Sequence, residues 1–284
     1  MSADSLSLAV VKLRAVVPEH AFTAGILGSE RIGNGIVIDS SGLILTIGYL
    51  IAEAADVWLT VSDGPERAGH ALAYDQATGF GLVLPLQSLG VSPLRLGVSA
   101  GLAAGDRARV VSYPSFAPEQ DVEVAARREF AGAWEYLLDS AIFTAPAHPH
   151  WSGAALLDEK GLLVGVGSLL VRENLPGGEA NANMFVPIDL LKPILSDLTS
   201  KGRSERRPWL GVYSVEISGR IYVTGVAEGS PAQIADLREG DIISAVGNRE
   251  VATLADFYRA LWALGAAGVT VPLTTIRGGS RMSV

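Results

Sequence analysis

Gly33-Asn-Gly-Ile-Val-Ile-Asp-Ser-Ser-Gly-Leu-Ile-Leu-Thr-Ile-Gly-Tyr-Leu50 is the stretch that says most about the fold of this chain. Two apolar runs within it, Ile36–Ile38 and Leu43–Ile47, flank the polar segment Asp39–Gly42, which predicts a β-hairpin. Glycine at the last turn position suits a backbone with positive φ. Strands that are apolar on both faces are typical of a closed barrel, because a barrel leaves little exposed sheet.

The same pattern recurs later in the chain. Ala154–Leu157 and Leu162–Val166 flank Asp158-Glu-Lys-Gly161, which predicts a second hairpin of the same kind. The 284 residues leave room for two domains, and 32 glycines with 14 prolines indicate many turns. We therefore expect a mostly β architecture.

Charge argues against nucleic acid as a ligand. The net charge is −8, with acidic and basic residues mixed along the chain. One short basic run, Lys201-Gly-Arg-Ser-Glu-Arg-Arg207, separates two compact segments and is interpreted as a solvated linker. It predicts a first domain over residues 1–202, a linker over 203–206 and a second domain over 207–284.

The chain has no cysteine, so neither a disulfide nor a thiol nucleophile is available. It also has no run of about 18 apolar residues, so we expect no membrane span. The segment Met1–Arg14 carries an early acidic residue and no small-residue cleavage site, unlike a signal peptide. We therefore expect a cytoplasmic protein, or a periplasmic one if a leader precedes this sequence.

Three blocks resemble, in chain order, those of the HtrA family of trypsin-fold serine proteases that carry PDZ domains. Residues 33–50 resemble G-S-G-x-I-I-x-x-x-G-x-I-L-T-N-x-H-V, and Asp75–Leu84 resembles D-x-x-x-D-L-A-x-L-K. Ala147-His-Pro-His-Trp-Ser-Gly-Ala-Ala-Leu156 resembles N-P-G-N-S-G-G-P-L, the nucleophile loop. The resemblance covers almost the whole chain and implies a trypsin-like double β-barrel followed by a small α+β PDZ domain.

The resemblance places the family's catalytic triad on three residues of this chain. The nucleophile is Ser152, the histidine falls on Tyr49, and the aspartate that orients the histidine falls on Gly79. A serine hydroxyl needs a base that titrates near the working pH, whereas a tyrosine has a reference pKa of about 10. Because triad members act as a unit, losing one costs about 10⁴-fold or more. The sequence therefore predicts a protease fold without proteolysis.

The family's oxyanion hole is built from backbone N–H groups at the nucleophile and two residues before it, here Ser152 and His150. The family has glycine at the earlier position, so a histidine there predicts distorted geometry. His20 and His70 lie away from where a base belongs, and we expect His148 and His150 either to pack in their loop beside Trp151 or to contact a peptide. Two imidazoles without a carboxylate or thiol make an incomplete metal shell, so neither a metal nor a cofactor is expected.

The barrel domain is predicted to close with a helix over Asp189–Gly202. Asp189 is the expected cap, Pro193 lies in the first turn, and Gly202 ends the helix.

From Arg207 onward the chain resembles a PDZ domain, beginning with Pro208-Trp-Leu-Gly-Val212. Successive backbone N–H groups of Leu210, Gly211 and Val212 can converge on a terminal carboxylate, and the following strand edge can pair with the peptide. Ser230 and Thr253 are the expected caps of two short helices. The expected peptide-binding residues are Trp209, Leu210, Gly211, Val212, Leu254, Phe257, Tyr258 and Leu261.

Three functions remain open at this point. The first is a non-catalytic peptide-binding or regulatory protein, whose partners are C-terminal or unfolded peptide segments. The second is an active serine endopeptidase of protein quality control that uses Ser152 with a non-standard base. The third is a structural subunit that tunes an active family member, because the family commonly forms trimers. The fold alone does not decide between them.

Overall fold

The computed structural model describes residues 8–175 and 178–284. Residues 1–7, which form part of the segment compared above with a signal peptide, lie outside the described residues. The chain divides into two compact units, one reaching to Arg128 and resuming over Ser140–Ser204, the other formed by Glu129–Asp139 and Glu205–Val284. The boundary between Ser204 and Glu205 falls inside the predicted linker, residues 203–206. The assignment of 129–139 to the second unit differs from the sequence prediction, which placed these residues in the first domain.

The first unit begins with a closed six-stranded barrel, in which the strands follow the order β1-β2-β3-β6-β5-β4. Its strands are β1 (Val10–Val16), β2 (Glu30–Val37), β3 (Ile44–Ile47), β4 (Asp56–Thr60), β5 (Arg67–Tyr74) and β6 (Phe80–Pro85), with the short helix α1 (Ala24–Leu27) between β1 and β2. The hairpin predicted from the opening stretch is confirmed, since Ile36 pairs with Leu45 and Gly42 has a φ of 85°.

A second closed barrel, ordered β10-β11-β12-β9-β8-β7, follows in the chain. Its strands are β7 (Arg107–Val111), β8 (Gln120–Gly132), β9 (Tyr136–Ala145), β10 (Ala155–Leu157), β11 (Leu163–Leu175) and β12 (Gly178–Pro187). The second predicted hairpin is also confirmed, because Ala155 pairs with Val166 and Gly161 has a φ of 73°. The interior is filled by buried apolar side chains such as Val124, Ile142 and Phe185. The expectation of a mostly β fold with two barrels is therefore correct.

The predicted helix over Asp189–Gly202 is shorter than expected. A single 3₁₀ turn covers Ile188–Leu190, and the helix α2 spans Leu195–Lys201. Pro193 has no N–H to donate and its ring crowds the preceding turn, so a continuous helix cannot run through it. Asp189 caps no helix; its carboxylate accepts hydrogen bonds from the backbone N–H groups of Ser99 and Ala100, both at 2.8 Å. Gly202 ends α2 in the left-handed conformation, as predicted.

The second unit is built around an antiparallel sheet ordered β13-β14-β15-β17-β18, with β16 paired to β15. Its elements are β13 (Val212–Ile217), β14 (Arg220–Val226), α3 (Pro231–Ile234), β15 (Ile242–Val246), β16 (Arg249–Glu250), α4 (Leu254–Trp262), β17 (Leu273–Arg277) and β18 (Ser280–Ser283). The predicted caps are confirmed, since Ser230 and Thr253 accept hydrogen bonds from Gln233 N and Asp256 N. Among the helices of the described residues, none is long and apolar enough to cross a bilayer.

Asp189→Ala tests whether this carboxylate stabilises the first unit. Asp189 also accepts a hydrogen bond from the Ser99 hydroxyl at 2.9 Å, so its removal leaves several donors without a partner. We expect the free energy of unfolding to fall by about 1–3 kcal/mol. The matched control is Asp197→Ala, which removes an exposed ion pair with Lys201 and costs about 0.5 kcal/mol or less. Urea denaturation measures the free energy of unfolding of both variants. An equal loss in the two would contradict a stabilising role for the Asp189 carboxylate.

Candidate functional site

The loop between β9 and β10 carries Ser152 and packs closely against neighbouring backbone. A side chain at Gly153, where φ is 72°, would place its Cβ 2.1 Å from the carbonyl oxygen of Asn34. A side chain at Gly167 on β11 would come within 1.9 Å of the carbonyl oxygen of Trp151. Gly153 N donates to the Gly167 carbonyl at 2.9 Å. Glycine at both positions therefore allows the contact that fixes Ser152.

Asn34 on β2 holds this loop through its backbone and its side chain. Its backbone N–H donates to the carbonyl of Ser152 at 2.9 Å. Its side-chain amide donates to the carbonyls of His150 and Ser152 at 3.0 and 2.9 Å, while its Oδ1 accepts from Tyr113 N at 2.7 Å. Asn34 is buried, so leaving any of these groups unpaired would carry a desolvation cost. The position of Ser152 is thus set by hydrogen bonds that involve no catalytic group.

Tyr49 lies next to Ser152. It is held by the 3₁₀ turn Gly48–Leu50, whose first N–H donates to the carbonyl of Gly79 at 2.7 Å. The phenol oxygen lies 2.8 Å from the Ser152 hydroxyl oxygen and 2.8 Å from the carbonyl oxygen of Ser168. The structure therefore brings together Tyr49, Gly79 and Ser152, the three positions at which the resemblance places the triad.

The direction of these two hydrogen bonds follows from the number of protons. A neutral phenol has one proton, and the carbonyl of Ser168 can only accept it. The Ser152 hydroxyl, which also has one proton, must then donate to Tyr49. Burial raises the pKa of Tyr49 to about 12, against hydrogen bonds that act in the opposite direction, so the phenol is neutral near pH 7. The hydrogen-bond chain that begins at the Ser152 hydroxyl therefore ends on the carbonyl of Ser168, which is too weak a base to take up a proton.

Gly79 offers no side chain to orient Tyr49. It has a φ of 83° and forms a tight turn in which its N–H donates to the carbonyl of Asp75 at 2.8 Å. The carboxylate of Asp75 accepts hydrogen bonds from Thr78 and Ser204. Both carboxylate oxygens of Asp75, the acidic residue of this block, are therefore engaged by hydroxyl and backbone donors other than Tyr49.

The backbone N–H of His150, predicted to serve the oxyanion hole, has a different partner. It donates to Nδ1 of His148 at 3.1 Å, and Nε2 of His148 lies 3.3 Å from the carbonyl oxygen of Pro118. This pair of partners requires the neutral His148 tautomer that carries its proton on Nε2. The His150 ring stacks on Phe116 with ring centroids 5.0 Å apart. Both histidines thus pack against the segment between β7 and β8, which the sequence did not predict, and neither makes a hydrogen bond to the Ser152 hydroxyl.

The remaining histidines lie elsewhere. His70 is exposed on β5, and His20 is exposed in the turn before α1. Within residues 8–175 and 178–284 no group of three His, Asp or Glu side chains is placed to hold a metal ion.

In the second unit, the loop before β13 already holds a carboxylate. Oε1 of Glu135 accepts hydrogen bonds from the N–H groups of Gly211 at 2.7 Å and Val212 at 3.0 Å. Oε2 accepts from Leu210 N at 3.0 Å. Burial raises the pKa of Glu135, although the three backbone donors act in the opposite direction. The N–H groups expected to converge on a carboxylate do so here on a side chain of the same chain.

The apolar residues predicted to line a peptide groove are buried. Leu254, Phe257, Tyr258 and Leu261 on α4 pack in one hydrophobic cluster together with Leu137 from the 129–139 segment. Trp209, by contrast, is 40% exposed beside the carboxylate-binding loop.

Sequence reasoning missed four residues of these sites: Asn34, His148 as a partner of a backbone N–H, Ser168 and Glu135. Asn34 had a signal, because it replaces the serine of the family's G-S-G block. The other three act through partners far away in the sequence or through backbone atoms, which a motif does not encode.

Comparison with protein families gives two matches. Residues 33–166 match the trypsin-like peptidase domain, and residues 208–284 match the PDZ domain. These ranges contain the serine loop in the first case and the carboxylate-binding loop in the second.

Curated proteins that are similar to this chain include bacterial serine proteases. The chain is 27% identical over 267 residues to a probable periplasmic serine endoprotease DegP-like of Chlamydia trachomatis, covering 89% of this chain and 52% of that protein. It is 24% identical over 281 residues to the serine protease Do-like HtrA of Bacillus subtilis, covering 88% of this chain and 62% of that one. The chain thus spans about half to three fifths of the length of these curated relatives.

Solved structures show the same fold. The HtrA-type protease AlgW with tripeptide has a TM-score of 0.60 at 20% identity, with 99% of this chain and 93% of that chain covered. The serine endoprotease from Yersinia pestis has a TM-score of 0.59 at 20% identity, with 100% and 96% covered. At this level of identity the likeness concerns the fold.

We expect the stability of the first unit to depend on pH through the buried His148. Burial lowers the pKa of His148, so protonation favours the unfolded state, in which the pKa is about 6.5. We expect the stability contribution to be complete above pH 6.5 and to be lost as the pH falls below it, at no more than about 1.4 kcal/mol per pH unit. His148→Gln should reduce this slope, and His70→Gln, which changes an exposed side chain on β5, is the control variant. Urea midpoints between pH 7.5 and 5.5 measure it; an unchanged slope in His148→Gln would contradict the account.

Proposed function

We propose that this HtrA-like protein, in which a trypsin-like peptidase domain precedes a PDZ domain, is a non-catalytic peptide-binding or regulatory protein. In this proposal the PDZ groove is the working site, and the barrel domain is a scaffold or a cleft that holds peptides. The ligands are C-terminal or unfolded peptide segments of other proteins. Association into a homo-oligomer, or with an active family member, is part of the same proposal.

The observation that carries the proposal is the hydrogen-bond chain from Ser152 through Tyr49 to the carbonyl of Ser168. Nucleophilic attack requires the serine proton to leave, and a base with a pKa near the working pH must take it. Protonating a tyrosine hydroxyl to an oxonium is far too costly to serve that role. The carbonyl beyond it is no better as a base. Ser152 is therefore a hydrogen-bond donor without a route for its proton.

The loop geometry supports the same conclusion by an independent route. An oxyanion hole needs N–H groups aimed at the position of the developing charge, and loss of one donor typically costs 10²–10³-fold in kcat. The N–H of His150 is engaged by His148 in this structure. A residual rate from substrate binding and electrostatics alone is therefore small as well.

The PDZ domain supports the binding half of the proposal. Its loop presents backbone N–H groups of Leu210, Gly211 and Val212 to a carboxylate at 2.7 to 3.2 Å. β13, which follows directly, is at the edge of its sheet, where an added peptide strand can pair with it. Carboxylate capture and strand addition together are how an extended peptide with a free C-terminus is recognised.

A cleavage assay tests the absence of proteolysis. We expect wild type and Ser152→Ala to release peptides from unfolded casein at the same background rate between pH 6 and 9. Tyr49→His alone is expected to stay at this background, because Gly79 cannot orient the new imidazole and triad members act as a unit. A fluorophosphonate probe, which labels activated serines, should leave Ser152 unmodified. Cleavage that disappears in Ser152→Ala would show an active endopeptidase with another base.

A binding assay tests the PDZ groove. Fluorescein-labelled decapeptide pools with a free C-terminal Leu, Ile, Val or Phe should bind more tightly than the same pools with amidated ends, by about tenfold or more. Gly211→Ala should weaken binding, since Gly211 has a φ of 81° and an added Cβ would lie 2.3 Å from Ser230 Cβ. Gly225→Ala is the matched control, because its Cβ has only ordinary contacts. Equal affinity for free and amidated pools, read by fluorescence anisotropy, would refute carboxylate recognition.

A further inference from the structure

The tip of the β8–β9 hairpin, residues 129–139, lies along the peptide-binding edge of the PDZ sheet. Glu135 occupies the carboxylate-binding N–H groups, as described above. Two residues earlier, the carbonyl of Ala133 accepts a hydrogen bond of 2.9 Å from Ser214 N on β13. The segment runs antiparallel to β13, because residue 135 contacts 210–212 and residue 133 contacts 214. We call Ala133-Trp134-Glu135 the internal ligand.

The internal ligand satisfies the donors that a C-terminal peptide would use. Such a peptide puts its terminal carboxylate on the loop and pairs main-chain groups with the strand that follows. In this chain the side-chain carboxylate of Glu135 takes the place of the terminal carboxylate. Glu135 has a φ of 57°, a conformation that non-glycine residues rarely adopt, and this turn closes the hairpin while its side chain reaches the loop.

Contacts with α4 hold the rest of the hairpin tip in the groove. Tyr258 donates its hydroxyl proton to the carbonyl of Gly132 at 2.6 Å. Arg259 forms ion pairs with Glu129 and Asp139, one on each side of the tip. Leu137 packs in the same apolar cluster as Phe257. The tip therefore contacts both walls of the groove, the edge strand and the helix.

From these contacts we propose that the internal ligand, carried by the hairpin tip 129–139, occupies the PDZ groove, and that a C-terminal peptide binds by displacing it. The inference rests on the proposed peptide-binding function. It adds regulation: the groove is closed by the chain's own segment until a competing carboxylate, or a change that withdraws the hairpin, opens it. Only ligands that outcompete the internal one are then selected.

Displacement is feasible because the free energy gained when the tip docks is partly cancelled by an unfavourable contribution. Burial of the Glu135 carboxylate opposes the gain from its backbone donors, and both Ala133 and Trp134 at the tip are exposed. For such an equilibrium, the apparent dissociation constant of an external peptide equals the intrinsic one divided by the open fraction. If the open form is a tenth of the population or less, removing the internal ligand tightens binding by about tenfold or more.

The test compares the unmodified 284-residue chain with Glu135→Ala, Glu135→Gln and the control Glu250→Ala, whose site on β16 is exposed. The probes are the free-carboxyl and amidated decapeptide pools described above. Hydrogen exchange of the segment 208–214, measured by mass spectrometry without peptide, reports directly on whether the N–H groups of Gly211 and Val212 are protected. Circular dichroism checks that each variant is folded.

We expect Glu135→Ala to bind the free-carboxyl pool at least about tenfold more tightly than wild type and to exchange segment 208–214 faster. Glu135→Gln, which keeps a neutral acceptor, should lie between them, and Glu250→Ala should match wild type. Unchanged exchange in Glu135→Ala, or unchanged affinity with intact peptide binding, overturns the internal ligand. Faster exchange without any peptide binding by either protein supports docking of the hairpin and overturns the proposed peptide-binding function.

Discussion

The first unit depends on one buried side chain, Asn34, which joins the first barrel to the serine loop. Its side-chain amide and its backbone N–H together donate hydrogen bonds to the carbonyls of His150 and Ser152. Buried carbonyls without donors are costly, so the loop can adopt this path only where such a donor set faces it. Gly153 and Gly167 then allow the backbone to approach closely enough for the hydrogen bonds to form. The shape of the loop is thus fixed by hydrogen bonds to its backbone carbonyls, and these do not depend on any reaction at the serine.

Sequence patterns predicted correctly those features that depend on residues close together in the chain, such as hairpin turns and helix caps. The two barrel hairpins followed from apolar runs around turns that end in glycine, and both Gly42 and Gly161 have the positive φ that this requires. The helix caps Ser230 and Thr253 were likewise predictable, because a cap acts on a backbone group three residues away. The start of the barrel-closing helix was predicted wrongly because the partners of Asp189 lie about ninety residues earlier in the chain.

The parts of the site that escaped prediction share one property: each depends on a partner that no local pattern specifies. The block containing Tyr49 correctly predicted which residue would face Ser152, but not that the carbonyl of Ser168 would take its proton. The carboxylate-binding loop was recognisable from Pro208–Val212, whereas its occupant, Glu135, lies some seventy-five residues earlier. The same long-range contact explains why residues 129–139 group with the PDZ unit, although their strands continue into the barrel.

The presence of Ser152 in an HtrA-like chain invites the conclusion that it works as a nucleophile, but its hydroxyl also has a hydrogen-bonding role in this structure. Tyr49 donates its single hydroxyl proton in a hydrogen bond to the carbonyl of Ser168. Its oxygen is then free to accept a hydrogen bond from the Ser152 hydroxyl. Replacing either hydroxyl would leave polar groups at the meeting point of the two barrels without their partner. A serine at this position is therefore accounted for by hydrogen bonding, whether or not it acts as a nucleophile. Its presence alone does not decide whether the protein cleaves peptides; what decides is whether a base can take its proton.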